Sequence, residues 1–143
     1  MNRDTSIWVV EDSEDDLYLL NRALKEAGFK HEIISLMGAE DVQRQVELYD
    51  SSAAPTPPAM ILMDFRLNAE TGDTVLKRLR AHPPFDLIPI LVTSSSGADP
   101  DVIRAYRAGA NSFLVKPGSY DELVELLHAV KNYWFRFNHL PPL

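Results

Sequence analysis

Ala59-Met60-Ile61-Leu62-Met63-Asp64 is a run of five apolar residues closed by one carboxylate. Pro57-Pro58 precedes it, and a polar loop from Phe65 to Thr71, ended by Gly72, follows. A run this short, apolar at every position and bounded by breakers, reads as a parallel strand buried on both faces. Open α/β sheets bind ligands outside the carboxyl ends of their strands. Asp64 therefore stands where a rigid element meets solvent, as a candidate acceptor for a phosphoryl group.

Working outward, the flanking segments alternate strand and helix. Upstream, Ser6–Val10 is strand one, ending in Glu11-Asp12. Ser13 is a natural N-cap for a helix whose apolar stripe is Leu17, Leu20, Leu24 and Ala27, stopped by Gly28. Glu32–Leu36 reads as strand two, and Ala39–Tyr49 as a helix with Val42, Val46 and Tyr49 on one face. Ser51–Pro58 holds three prolines and is a loop. Downstream, Val75, Leu76 and Leu79 mark helix three, ended by His82-Pro83-Pro84. Leu87–Val92 is predicted as strand four, with Thr93–Gly97 a polar loop. Asp99–Ala108 is helix four, with Asp99 as cap and Pro100 at its first position, ended by Gly109. Ser112–Val115 is strand five, followed by Lys116-Pro117. Ser119-x-x-Glu122 is a capping box for helix five. Its stripe of Leu123, Leu126, Leu127 and Val130 continues through Trp134 and Phe137. Five strands alternating with five helices predict a doubly wound parallel sheet with right-handed crossovers and strand order 2-1-3-4-5.

The 143 residues suit one domain, 1–143, with a helix extension and tail from about 132. A net charge of −7 disfavours nucleic acid and anionic membrane as partners. The chain has no cysteine, which excludes a disulfide framework and thiolate chemistry and fits a cytoplasmic protein. Met1–Thr5 lacks an apolar signal core, and no run approaches the ~20 apolar residues of a membrane span.

In the predicted strand order, strands one and three are neighbours, so Glu11, Asp12 and Asp64 converge at one sheet edge. Clustered carboxylates repel unless a cation neutralises them. Magnesium fits as a hard, oxygen-seeking ion that keeps waters and accepts phosphate ligands. The competing reading is that Glu11 and Asp12 serve only as favourable charges at a helix N-terminus. Lys116 at the end of strand five is able to pair with an anion at Asp64, or to be a surface lysine. Pro117 makes the preceding bond a candidate cis peptide that aims the lysine inward. One hydroxyl of Thr93-Ser94-Ser95-Ser96 is placed to donate to a phosphoryl oxygen.

Taken together these spacings resemble the response-regulator receiver domain of two-component signalling over about residues 5–132. The resemblance implies the flavodoxin-like receiver fold, with Asp64 as phosphoacceptor. Glu11, Asp12, Asp64 and the backbone carbonyl of Arg66 would be ligands of Mg2+ or Mn2+. Ser94, 30 residues after Asp64 and 22 before Lys116, matches the family's switch hydroxyl, and Phe113 its switch aromatic. Thr93 is one position too early for that role. Arg66 and Ser96 occupy positions that modulate phosphoryl lifetime. Arg66 departs from the commoner polar or smaller residue there, and would shield the phosphoryl group or pair with an acid in its absence. The 67–72 loop also lacks the proline common in the family, which implies a looser turn.

The resemblance further implies a sensor histidine kinase as phosphodonor and a surface of helix four, strand five and helix five that changes on phosphorylation. The segment from Asn111 to Pro117, with Tyr133-Trp134-Phe135 and the Pro-rich end, resembles single-domain regulators that partner bacterial phytochrome kinases. Tyr133, Trp134, Phe135, Phe137 and Leu140 put five large apolar residues in eight positions, which predicts a homodimer through helix five and the tail; the alternative is that Trp134 and Phe137 fold back on the body. No output domain or basic DNA-binding module is read in the chain, so its partner would be a protein, including a downstream phosphotransfer protein. Two rival functions stay open. One is a pseudo-receiver that never takes phosphate. The other is an aspartate-nucleophile phosphohydrolase, which would need a general acid where Arg66 stands.

Overall fold

The fold is described from a computed structural model, over residues 6–50 and 55–143. The predicted readings of Met1–Thr5 and of the first half of the 51–58 loop lie outside the described residues. In chain order the elements are β1 (Ser6–Val10), α1 (Glu14–Glu26), β2 (Glu32–Leu36), α2 (Ala39–Glu47), a 3₁₀ turn (Leu48–Asp50), β3 (Met60–Asp64), α3 (Gly72–Arg80), β4 (Ile90–Ser94), α4 (Asp99–Ala108), β5 (Ser112–Val115), α5 (Tyr120–Lys131) and a π-helical turn (Asn132–Phe137). The five strands form one parallel sheet in the order β2-β1-β3-β4-β5.

Strand alternation divides the core into two layers. Trp8, Val10, Ile61, Met63, Ile90 and Val92 pack under α2, α3 and α4. Ile7, Val9, Met60, Leu62 and Leu91 pack under α1 and α5. β3 is buried along its whole length, as a central parallel strand must be. Its neighbours are fixed by registers Val10↔Met63 and Asp64↔Thr93. Asp64 thus ends the strand between β1 and β4, at the point where chain direction across the sheet reverses.

Several predicted boundaries shift. β4 runs from Ile90 to Ser94, not from Leu87 to Val92, so Thr93 and Ser94 are strand residues. The cause lies in the 81–89 turn. Arg80 places its guanidinium among the carbonyl oxygens of Phe85 (2.7 Å), Ile88 (2.7 Å) and Gly109 (2.8 Å), holding the chain in turns until Ile90. Asn111 joins it: its Oδ1 accepts from Arg80 and from Ile90 N–H, each at 2.8 Å. α4 is capped by Ala98, with Asp99 already helical and Pro100 one place further in, so Asp99 is not the cap. The cis peptide among the described residues is Pro83–Pro84, so Lys116–Pro117 is trans.

Gly72 opens α3 directly beneath the acid. A Cβ there would lie 3.0 Å from the Asp64 carbonyl oxygen and 3.1 Å from Phe65 Cα. A side chain would push the 65–71 loop away from β3.

The predicted continuation of the α5 stripe holds for Trp134 and fails for Phe137. After Lys131 the pitch widens to a π turn, closed by Asn138 N–H on Tyr133 O. The change of pitch turns Trp134 and Phe135 toward the α1/α5 layer. Phe135 meets Phe29 edge-on at 6.1 Å and His31 at 4.7 Å. Phe137, expected on the buried stripe, is instead 69% exposed, and Tyr133 is 55% exposed.

Candidate functional site

At the carboxyl end of the sheet, Glu11, Asp12 and Asp64 each offer a carboxylate oxygen within 4.8 Å of the others. β1 carries the first two because Glu11 continues its ladder, donating its N–H to Leu36 O at 3.0 Å. Such a cluster of hard oxygen donors suits a divalent cation. Glu11 supplies an independent sign of fit: it is 2% exposed and neither side-chain oxygen has a hydrogen-bond partner. Buried polar atoms are normally satisfied, and a cation would satisfy these.

Lys116 enters from β5. Its Nζ donates to Asp64 Oδ2 at 3.0 Å and lies 3.6 Å from Glu11 Oε1. Burial pushes the Glu11 carboxyl up to about 9, with the adjoining Asp64 adding to the rise. For Asp64 burial acts upward too, but the adjoining Glu11 acid, the Arg66 N–H and Lys116 outweigh it and hold the carboxyl below its ordinary value. Burial would lower Lys116, yet Asp64 and Glu11 raise it overall. The arrangement thus sets the Asp64 carboxylate between a second buried acid, Glu11, and the Lys116 ammonium.

Asp64 is anchored at its other oxygen as well. Arg66 N–H donates to Asp64 Oδ1 at 3.0 Å, and Arg66 and Thr71 pair in an antiparallel bridge that closes the loop. The missing loop proline thus leaves a pinned turn, not a loose one. Beside Asp64 a cavity of about 210 Å³ opens between α1 and α5, with Leu20, Leu62 and Leu123 along its walls and Glu11, Asp64, Thr93 and Lys116 at its polar end.

The remaining predicted residues make their contacts elsewhere. Ser94 is 1% exposed, and its hydroxyl oxygen accepts from Ser96 N–H at 3.2 Å. Ser96 itself is exposed. Phe113 is half-buried against the α3/α4 layer, with its ring 6.2 Å from Phe65 and its N–H donated to the Tyr106 hydroxyl. Tyr133, Trp134, Phe137 and Leu140 lie beyond α5, away from the acid cluster.

Arg66 does pair with an acid, as expected, but sequence reading did not identify the partner or the second arginine beside it. Arg66 Nη2 donates to Asp101 Oδ2 at 2.7 Å, and Arg104 approaches Asp101 at 4.0 Å and Asp73 at 3.3 Å. Arg66 and Arg104 lie over the ring of Phe65, at 5.3 and 5.6 Å. Asp101 and Arg104 at i, i+3 on a helix are visible in the sequence, but the 35-residue step from Arg66 to Asp101 has no sequence signature.

Comparison with known proteins agrees with this geometry. The response regulator receiver domain family matches residues 7–128. Among curated proteins the chain is 31% identical to the probable methanogenesis regulatory protein FilR2 of Methanothrix harundinacea, covering 94% of this chain and 86% of that one. It is 30% identical to the response regulator Rcp1 of Synechocystis sp., covering 94% and 92%. The Mn2+-bound form of Rcp1 superposes with a TM-score of 0.78 at 27% identity, over 96% of this chain and 99% of that one. The phosphorylated cyanobacterial phytochrome response regulator RcpA shares the fold, with a TM-score of 0.84 at 24% identity over 96% and 99%.

Proposed function

Because the chain belongs to the response regulator receiver domain family, we propose that it is a phosphorylation switch in two-component signalling with Asp64 as the phosphoacceptor. The observation that carries this reading is the anionic Asp64, pinned by Arg66 N–H and paired with Lys116 at 3.0 Å, beside a three-acid cluster. In the step proposed, an Asp64 oxygen attacks the phosphorus of a phosphohistidine on a sensor histidine kinase. The new O–P bond forms as the P–N bond breaks, and the imidazole leaves with the electron pair and takes up a proton. Lys116 holds the second Asp64 oxygen and balances the dianion that results. A divalent cation, Mg2+ or Mn2+, held by Glu11, Asp12, Asp64 and the Arg66 carbonyl, would supply charge neutralisation at the phosphoryl oxygens.

Ser94 then exchanges its Ser96 partner for a phosphoryl oxygen, and Phe113 moves into the space this opens. Ser96 and Arg66 flank the route of the water that later hydrolyses the acyl phosphate. The reading is of a receiver that acts as a switch or phosphorelay carrier, not as a turnover enzyme. The fold shared with the phytochrome response regulator RcpA, and the resemblance carried by residues 111–117 and Tyr133-Trp134-Phe135, favour a bacterial phytochrome kinase as donor. A homodimer through Tyr133, Trp134, Phe137 and Leu140, and a downstream phosphotransfer protein or direct protein target in the cytoplasm, complete the proposal.

The test is incubation with Mg2+ and acetyl phosphate followed by intact mass. An adduct of about 80 Da, one phosphoryl group, that is absent in Asp64→Asn supports the reading. Continuous release of phosphate at many turnovers would point to a hydrolase, and the absence of any adduct to a pseudo-receiver.

A further inference from the structure

Arg66 is anchored at the acid and tied elsewhere. Its backbone N–H is on Asp64 Oδ1 at 3.0 Å, and its backbone is fixed by the bridge to Thr71. Its guanidinium is not on Asp64 but on Asp101 Oδ2, 2.7 Å away in the first turn of α4. The two partners differ in setting. The Asp101 side chain is 9% exposed and the Arg66 side chain 63% exposed. Asp101 has a second cation in reach, Arg104 at 4.0 Å, and Arg104 also holds Asp73 on α3 and the Thr71 hydroxyl. Departure of Arg66 would therefore not leave Asp101 as a buried charge without a partner, which is the costly outcome of breaking most such pairs. The exchange is cheap on the Asp101 side.

It is favourable on the other side. Phosphorylation of Asp64 replaces a monoanion by a dianion with several acceptor oxygens, two residues from the Arg66 backbone. A guanidinium prefers such a group, which it grips through parallel hydrogen bonds. Resting on the reading of Asp64 as phosphoacceptor, we propose that Asp101 is a positioning residue: it holds Arg66 off the unphosphorylated acid, and on phosphorylation Arg66 passes from Asp101 to the phosphoryl oxygens, untying the first turn of α4 from the 65–71 loop. Over the phosphoryl group Arg66 obstructs the water whose attack on phosphorus would break the P–O bond and release Asp64 as carboxylate. The Arg66–Asp101 pair thereby sets both the lifetime of the signal and the link to α4.

Competition makes this testable: two anions share one guanidinium, so removing the Asp101 charge raises the fraction of time Arg66 spends on the phosphoryl group. Wild type, Asp101→Asn, Arg66→Ala and the double variant are loaded with acetyl phosphate and Mg2+, freed of donor, and followed by intact mass as the adduct decays. Asp101→Asn is expected to slow decay about 5-fold, as Arg66 shifts from partial to nearly complete residence on the phosphoryl group. In the Arg66→Ala background the same substitution is expected to leave the rate unchanged. Asp101→Glu, which keeps the acid, is expected to decay near the wild-type rate, which separates loss of the ion pair from general damage to α4. Unchanged or faster decay in Asp101→Asn overturns the proposal, as does equal slowing in the presence and absence of Arg66. A wild-type chain that takes no phosphoryl group overturns the parent reading instead, and this one with it.

Discussion

Lys116 Nζ lies 3.0 Å from Asp64 and 3.6 Å from Glu11, so a single ammonium from the edge strand β5 is shared by two acids from the sheet interior. That position makes Lys116 an electrostatic competitor of any cation the acids bind. Lys116→Met is expected to raise Mg2+ affinity about tenfold, a modest share of what a unit charge a few ångströms away contributes at an effective dielectric near ~20. Titration calorimetry reads it directly. Equal affinity in the variant would mean that the ammonium does not face the cation.

Arg80 is expected to matter more for stability than any other surface-accessible charge described here. Its guanidinium closes the 81–89 turn onto the end of α4 through carbonyls of Phe85, Ile88 and Gly109 and the side chain of Asn111. Arg80→Ala strands these acceptors and is expected to cost about 3 kcal/mol, as for several hydrogen bonds to a charged group. Arg80→Lys is expected to restore little, since one ammonium cannot reproduce the planar fork. Urea unfolding at fixed m-value measures both.

Asp73 gives the protein an acid-sensitive tether. Burial alone would raise its carboxyl, but the Thr71 hydroxyl and the Arg104 guanidinium from α4 outweigh this and hold it below its ordinary 3.8. Arg104 is itself shared with Asp101. A group depressed in the folded state stabilises at pH values above its unfolded pKa, and that contribution is lost as pH falls through the lower folded value. Asp73→Asn is therefore expected to lose about 1 kcal/mol near neutral pH, with Arg104 half exposed and partly screened. Its stability should then vary less than wild type below the ordinary aspartate range. Urea midpoints taken across that range would show parallel slopes if Asp73 were not the titrating group.

The exposed aromatics beyond α5 provide a test of self-association that leaves the body intact. Removing everything after Lys131 would also strip Trp134 and Phe135 from the α1/α5 layer. Tyr133→Glu with Phe137→Glu alters only side chains that are 55% and 69% exposed. If these faces pair, light scattering is expected to show the mass of the variant halved relative to wild type, with an unchanged melting curve. An equal mass for both would remove the tail from the interface.

How far the sequence foretold this structure varies with the range of the interactions involved. β1, β2, β5 and α4 fall at their predicted residues because apolar runs and glycine stops report local backbone preference. Alternation and crossover handedness point to a doubly wound parallel sheet, and the order 2-1-3-4-5 is that of the flavodoxin-like class of such sheets. β4 was misplaced by three residues because the force that delays it comes from Arg80, which reads as one more basic residue at a helix end. Phe137 was assigned to the wrong side because the periodicity argument assumes a constant pitch, and the π turn changes it. Glu11, Asp12, Asp64 and Lys116 were legible as a set, since each closes a strand and the sheet brings strand ends together. For Arg66 only the pairing with some acid was legible, and not Asp101 as the partner, because the pair joins the 65–71 loop to α4 through side chains that obey no period.

Phe65 follows the acid directly in the chain, and its ring is the floor on which several separate elements rest. Arg66 and Arg104 lie over it at 5.3 and 5.6 Å, and Phe113 of β5 stands 6.2 Å away. The loop, α4 and β5 thus share one neighbour, and that neighbour is a single peptide from Asp64. Under the proposed phosphorylation, a change at Asp64 would need no chain of intermediaries to reach α4 and β5, because both already meet at the residue next to it.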